Sequence, residues 1–251
     1  MAGGQEAGVI EVRALATREE FDEAVRLQKE IWAFDDIELL PVRLFVVASK
    51  IGGSAFGAFY GGRMVGFCLA IPGIKPDRNY LHSHMLGVLP EYRNQGVGRM
   101  LKLRQREDAL ARSIDLIEWT FDPLELKNAY FNIERLGAVV RRYVLNQYGT
   151  TSSPLHGSLP TDRCVAEWWL ASGWVENALA GRTEQRPEVR ARISIPAEAG
   201  SLRTEDPKRA REIQRAASEQ FLENFAKGLA VIGLEQSEAA GTYLFGVWDS
   251  K

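Results

Sequence analysis

The spacing of apolar residues along the chain predicts a mixed α/β protein. After Thr17-Arg18-Glu19-Glu20, which is a capping box, apolar residues recur at helical spacing from Phe21 to Trp32. Further helices are predicted at residues 41–49, 99–112 and 124–136, the last ended by Gly137. Runs with period-two alternation, bounded by glycine and proline, predict strands. They cover residues 9–15, 54–60, 63–71, 81–88, 114–121, 139–145 and 162–170.

The stretch from residue 81 to residue 101 combines a strand, a tight loop and the start of a helix. Period-two alternation predicts that His82, His84, Leu86 and Val88 share one face of the strand; the other face carries Leu81, Ser83 and Met85. The following loop contains two glycines one residue apart, so its backbone N–H groups can turn toward a common point. The new helix adds unpaired N–H groups and the positive end of its dipole, and we therefore expect an anionic phosphate there.

The spacing of this loop excludes two common phosphate loops and resembles a third. A dinucleotide-binding fingerprint needs glycine at Leu101, and a Walker A loop needs Gly-Lys-Ser/Thr after a longer gap. Arg93-x-x-Gly96-x-Gly98 instead resembles the (Gln/Arg)-x-x-Gly-x-(Gly/Ala) pyrophosphate loop of the GNAT (Gcn5-related N-acetyltransferase) superfamily.

The resemblance implies an α/β (α+β) fold with a central, mixed, mostly antiparallel sheet flanked by helices. It also implies acetyl-CoA or another acyl-CoA as co-substrate, and no metal. The residues that the resemblance assigns to cofactor binding are Leu86, Gly87, Val88, Arg93, Asn94, Gln95, Gly96, Val97, Gly98, Arg99 and Asn128. For Asn128, a purely structural role as a residue of the first helical turn is equally well supported.

His82 and His84 are the candidate bases. Their distance from the loop is similar to that of the histidine pair in the serotonin-type arylalkylamine N-acetyltransferases, which implies that they help to deprotonate an amine. An imidazole with a pKa near ~6.5 suits that task at neutral pH. A structural role and a metal site stay open as alternatives, although a metal needs further ligands and none is apparent.

The position at which the family commonly has its general acid differs in this chain. The family commonly has a tyrosine four residues before the helix-ending glycine, where this chain has Ile133, and Tyr130 is the candidate substitute. The candidate residues for the amine acceptor lie at strand ends and in a loop. They are Trp119, Asp122, His156 and Arg163. Arg163 could grip an acceptor carboxylate through its planar fork, and a surface salt bridge is the favoured alternative.

Composition and charge narrow the class of protein. Apolar residues make up 45% of the 251 residues and charged residues 25%, with a net charge of −2, so no basic excess is available for nucleic acid or a membrane surface. Two cysteines in apolar runs, no signal-peptide pattern and no apolar run near ~20 residues lead us to expect a cytoplasmic protein, of an uncharacterised bacterial branch of the superfamily.

Two regions and one function are predicted. Residues 1–175 form the GNAT domain, and residues 191–251 form a small β-α-β-β extension that packs on the main domain or on a second copy in a homodimer. We expect an N-acyltransferase in which a small-molecule amine, such as an amino acid, directly attacks an acyl-CoA, acetyl by default or succinyl. The alternatives are an acetyltransferase of protein N-termini or lysines, and a non-catalytic acyl-CoA-binding regulatory module.

Overall fold

The computed structural model of the protein describes residues 9–149, 159–182 and 186–249. The chain forms two compact units, residues 1–114 and residues 115–251. The predicted division into residues 1–175 and 191–251 stays a prediction. In the described part of the chain, no helix is both long enough and apolar enough to cross a membrane.

The first unit is an antiparallel sheet with the strand order β1-β2-β3-β4, accompanied by three helices. The elements are β1 (Glu11–Ala14), α1 (Arg18–Trp32), α2 (Val42–Lys50), β2 (Ser54–Tyr60), β3 (Arg63–Lys75), β4 (Arg78–Val88) and α3 (Val97–Ala111). Their order confirms the order predicted from the sequence. Residues 72–79, which lie between the strands predicted at 63–71 and 81–88, extend β3 and β4 into a longer hairpin, in which the Gly73 backbone lies directly against the Tyr80 ring.

Local sequence explains where α1 begins and how the chain leaves it. Thr17 accepts a hydrogen bond from the Glu20 N–H and the Glu20 carboxylate accepts one from the Thr17 N–H, which is the predicted capping box. The buried amide of Gln28 then bonds both the N–H and the carbonyl of Leu40, at 2.9 and 3.2 Å. This pair of bonds ties the segment after α1 back onto the helix.

Among its described residues, the second unit contains six antiparallel strand segments in the order β5-β7-β6-β9-β10-β8. The strands are β5 (Leu116–Phe121), β6 (Val139–Val144), β7 (Arg163–Trp169), β8 (Ala191–Pro196), β9 (Ala230–Gln236) and β10 (Ala240–Gly246). The helices are α4 (Leu126–Tyr130), α5 (Gly173–Leu179), α6 (Leu202–Glu205) and α7 (Pro207–Ala226). The antiparallel pairing in both units agrees with the predicted fold class.

Two stretches of this unit differ from the prediction. The single helix expected at residues 124–136 is a short α4 followed by a π-helical turn, Phe131–Arg135, before the expected Gly137 at φ +75°. The stretch 176–190, for which no element was predicted, contains the end of α5; the Ser172 hydroxyl accepts a hydrogen bond from the Val175 N–H and caps that helix.

The C-terminal segment is held by an aromatic cluster centred on Phe221 of α7. The Phe221 side chain is fully buried, and its ring lies 5.1 Å from Tyr143, 5.0 Å from Tyr243 and 5.6 Å from Phe245, measured between centroids. Between β6 and β9 the strand register contains a single residue pair, Val140 with Val231. Side-chain packing therefore supplies most of what attaches α7 and β10 to β6.

We predict that Phe221→Ala lowers the free energy of unfolding by about 3–5 kcal/mol, because it leaves a cavity under three aromatic rings. The matched control is Leu222→Ala on the same helix, where the side chain is 41% exposed and the loss should stay within about 1 kcal/mol. Urea denaturation of both variants measures the difference. Equal losses would show that the cluster does not hold the segment.

Candidate active site

A β-bulge interrupts β4 at His84. Ser83 pairs with Ala70 and Met85 pairs with Leu69, so His84 is an extra residue that pairs with no residue of β3. An extra residue reverses the side-chain alternation beyond it. Leu86 accordingly lies beside Gly98 of α3, and Ser83 also bonds to α3. In a regular strand Ser83 and Leu86, which are three residues apart, would point to opposite faces. The prediction that Leu86 and Val88 share a face with the histidines is therefore wrong.

The two histidines lie side by side on the face of β4 that points away from α3, which we call the histidine face. The ring centroids of His82 and His84 are 5.8 Å apart. His84 is half-buried, and burial lowers the pKa of its imidazole below the ordinary value because it disfavours the charged form. At neutral pH the ring is therefore predominantly uncharged and able to accept a proton.

Gly87 also lies on the face of β4 that points away from α3, two residues beyond Met85, and packing explains why it has no side chain. A Cβ atom at Gly87 would lie 2.7 Å from the ring of Trp32 and 2.8 Å from Ile31, both near the end of α1. Any larger residue would push α1 away from the strand. The glycine thus lets the backbone of β4 and the end of α1 approach closely beside the histidines.

The predicted anion loop has the required backbone conformation. Asn94 and Gly96 have φ values of +60° and +81°, in the left-handed region, and α3 begins at Val97. Two side chains brace the loop: Arg93 donates to the Val88 carbonyl at 3.1 Å and Gln95 donates to the Glu91 carbonyl at 2.8 Å. These bonds hold the loop against the end of β4.

The first turn of α3 can offer backbone N–H groups to an anion. Within the described residues no side chain caps this helix, and the N–H groups of its first two residues, Val97 and Gly98, have no acceptor inside the helix. At Gly98 a Cβ would find only Leu86, at 3.6 Å. This geometry suits a phosphate group.

Sequence reasoning missed a buried polar cluster, Lys102, Ser83 and Gln105, between α3 and β4. The Lys102 ammonium nitrogen lies 2.8 Å from the Ser83 hydroxyl, which donates to the Gln105 side-chain oxygen at 3.0 Å. All three residues are at most 5% exposed. Burial lowers the pKa of Lys102 from 10.5 to about 7. The signal was available, because residues 98, 101, 102, 105 and 109 fall on one helical face, and two of them are polar.

The candidate acceptor residues Asp122 and Arg163, in the second unit, form a buried ion pair. The Arg163 guanidinium lies 3.2 Å from the Asp122 carboxylate, which also pairs with Arg203 at 2.8 Å. The salt bridge that was the favoured alternative for Arg163 is therefore present, but it is buried rather than at the surface. Arg203 belongs to α6, so the C-terminal segment contributes a charge to the end of β5.

The remaining candidates differ in accessibility. The Trp119 ring is buried edge-on against Trp168, with centroids 6.0 Å apart. Asn128 is exposed and accepts a hydrogen bond from Asn132 at 3.4 Å. Tyr130 is 36% exposed, whereas Ile133 is buried. His156 lies outside the described residues. Their roles, and those of the cofactor residues, stay predictions.

Comparison with protein families finds one match. The Acetyltransferase (GNAT) family profile matches residues 12–137, about half of the chain. A comparison with curated protein sequences finds no match.

Solved structures share the fold. The ribosomal-protein-S18-alanine N-acetyltransferase from Escherichia coli matches with a TM-score of 0.52 and 18% identity, over 66% of this chain and 96% of that one. A GNAT-family protein from Desulfovibrio desulfuricans gives 0.52 and 15%, over 65% and 100%. An acetyltransferase from Salmonella typhimurium, solved with its cofactor acetyl-CoA, gives 0.52 and 14%, over 65% and 95%. These likenesses confirm the predicted fold class.

We predict that Lys102→Met changes the pH dependence of stability. The folded state binds the Lys102 proton more weakly than the unfolded state does, so wild-type stability falls as pH drops from about 10.5 to about 7 and levels off below. At pH 6 the methionine variant should gain on the order of 4 kcal/mol from the removed charge, less about 1 kcal/mol for the lost hydrogen bond.

Urea denaturation at pH 6 and pH 9.5 measures this difference between variant and wild type. The variant's advantage should shrink at pH 9.5, where the buried amine is neutral in the wild type. A stability difference that is the same at both pH values would contradict a neutral buried amine.

Proposed function

The chain belongs to the GNAT family of acetyltransferases, and on that premise we propose that it transfers an acetyl group from acetyl-CoA to the amine of a small molecule. Family membership makes it an acyl-transferring enzyme with acyl-CoA as co-substrate. The small amine, such as an amino acid, is the proposed part. The observation that carries the site is one strand and its following helix, which bring together two imidazoles and an anion loop.

The residues of the loop fit the pyrophosphate of an acyl-CoA. Backbone N–H groups from Val97 to Arg99 would hold the phosphates, and the open space at Gly98 would let them approach the backbone. Leu86, Gly87 and Val88 would hold the pantetheine arm through their backbone groups. Bound acyl-CoA supplies the thioester from which the acyl group is transferred.

His84 would act as the base. A substrate ammonium must lose a proton before its nitrogen can attack, and the uncharged imidazole of His84 can accept that proton directly or through a water. Its neighbour His82, 5.8 Å away between centroids, is placed to substitute in part. Tyr130, which is exposed next to the π-helical turn, would act as the general acid by donating a proton to the departing CoA thiolate. The thiol of CoA has a pKa close to that of a cysteine thiol (~8.5), so the thiolate can leave without a general acid.

The acceptor side is proposed to involve Trp119, Asp122, His156 and Arg163. Asp122 already occupies the guanidinium of Arg163, so an acceptor carboxylate would have to share this arginine. Turnover assays with acetyl-CoA and succinyl-CoA against free amino acids, simple amines and peptides test the acceptor class. Turnover of peptides alone would replace the small-molecule proposal with a protein acceptor, and no turnover with any of them would favour a binding module.

We predict that Gly98→Glu abolishes acyl-CoA binding, with affinity lowered by at least about 100-fold. The new carboxylate would stand where the pyrophosphate approaches, and like charges repel in a partly dry site. The fold should survive, because a Cβ at this position makes only an ordinary contact with Leu86. Calorimetric titration with CoA measures the loss.

The matched control is Gly173→Glu, since Gly173 also lies in the first turn of a helix, is exposed, and a Cβ there meets no atom within 4 Å. Its CoA affinity should equal that of the wild type. Unchanged affinity in a folded Gly98→Glu variant would remove the loop from the cofactor site.

We predict that His84→Gln lowers kcat by about 10²–10⁴-fold while acyl-CoA affinity changes little, since general-base catalysis contributes this much. The wild-type rate should rise with pH as His84 loses its proton, with a midpoint below the ordinary ~6.5 because burial lowers this pKa.

His82→Gln is the comparison, with a smaller expected effect, and the double variant should lose more than either single one. Near-wild-type turnover in the double variant, with the acidic limb of the pH profile intact, would show that the base is another group.

A further inference from the structure

The bulge at His84 has a buried support on the opposite face of β4. Ser83, the residue just before the bulge, bonds to two side chains of α3: the Lys102 nitrogen at 2.8 Å and the Gln105 oxygen at 3.0 Å. Lys102 also reaches the Gln105 oxygen, at 3.4 Å, so the three groups close a triangle. This triangle fixes Ser83 toward α3, and the extra residue must then be accommodated at His84.

The buried cluster of Lys102, Ser83 and Gln105 does not have an evident stabilising role. Burying a lysine among α3, β3 and β4 costs free energy whether the group is charged or shifts its pKa, and apolar residues of similar volume commonly replace buried charges without loss. The side chain that faces Lys102 from β3 is the Cys68 thiol, whose pKa burial raises to about 12, so it offers no negative charge at neutral pH. Ser83 of β4 and Gln105 of α3 also face Lys102, and both are neutral.

We propose that Lys102 is a positioning residue for acyl transfer, which through Ser83 holds the β-bulge and thereby sets the position of the His84 imidazole on the histidine face. Lys102 lies on the α3 side and would touch neither substrate. The proposal rests on the proposed function for its kinetic effect; its structural effect, the placement of the imidazole, does not.

The test compares three variants of the full chain with one control. Lys102→Met keeps the volume of the side chain and removes the donor. Ser83→Ala removes the hydroxyl and keeps the lysine, whereas Ser83→Thr keeps a hydroxyl and should retain activity. The control is Lys50→Met, at the exposed end of α2, which should behave as wild type.

Two readouts separate positioning from general damage. In steady-state kinetics, Lys102→Met and Ser83→Ala should lower kcat by about 10- to 100-fold, as a misplacement near 1 Å can, with KM for acetyl-CoA within about twofold. In NMR titration of the imidazoles, assigned with His84→Gln, the pKa of His84 should rise toward the ordinary value in both variants, because burial is what lowers it.

Each outcome decides the proposal. A raised His84 pKa with lower kcat and unchanged KM supports it. Unchanged His84 resonances in folded Lys102→Met and Ser83→Ala would overturn it, and so would a kcat loss with the His84 pKa unchanged. If the wild type transfers no acyl group, the proposed function fails, and the NMR titration still decides whether Lys102 positions His84.

Discussion

One extra residue in β4 sets the geometry on which the rest of the candidate site depends. A strand has two faces, and strict alternation would place His84 and Leu86 on the same one. The bulge lets the imidazoles point away from α3 while Leu86 packs toward it beside Gly98. Residues of one strand can therefore face the proposed chemistry and also seat the helix that begins the anion loop. Removing that residue would misplace either the base or the helix.

Buried polar side chains hold the irregular parts of the structure, while apolar packing supplies its stability. Gln28 ties the segment after α1 to Leu40, and the Asp162 carboxylate accepts from Ser218 at 2.8 Å and from the Asn146 N–H at 2.9 Å. In each case the polar group replaces backbone pairing that a loop or bulge has lost. Lys102 differs from Gln28, because burial of an amine carries an ionisation cost that an uncharged amide does not have. That difference is what points to a role in function.

The sequence was informative wherever a local rule fixes the backbone. The capping box at Thr17 forms as expected, and the two glycines expected to end a helix and to turn the loop, Gly137 and Gly96, have φ values of +75° and +81°. The bulge could not be predicted, because nothing in the residue types from Leu81 to Val88 distinguishes a regular strand from one with an extra residue. The helical face of α3 that contains Lys102 could be read from the spacing, but its partner Ser83 could not, because that contact depends on how β4 packs against α3. The π-helical turn after Tyr130 likewise depends on packing between distant parts of the chain rather than on local propensity.

The single backbone pair between β6 and β9 has a mechanical consequence. Hydrogen bonds along a ladder share a load, whereas one pair, Val140 with Val231, would bear it alone. A pulling force on the C-terminal segment would therefore be resisted by side chains as well, namely the rings around Phe221 and hydrogen bonds such as that from Ser218 to Asp162. Strands β6 and β9 would therefore separate at a lower load than strands such as β9 and β10, which are joined by a longer ladder.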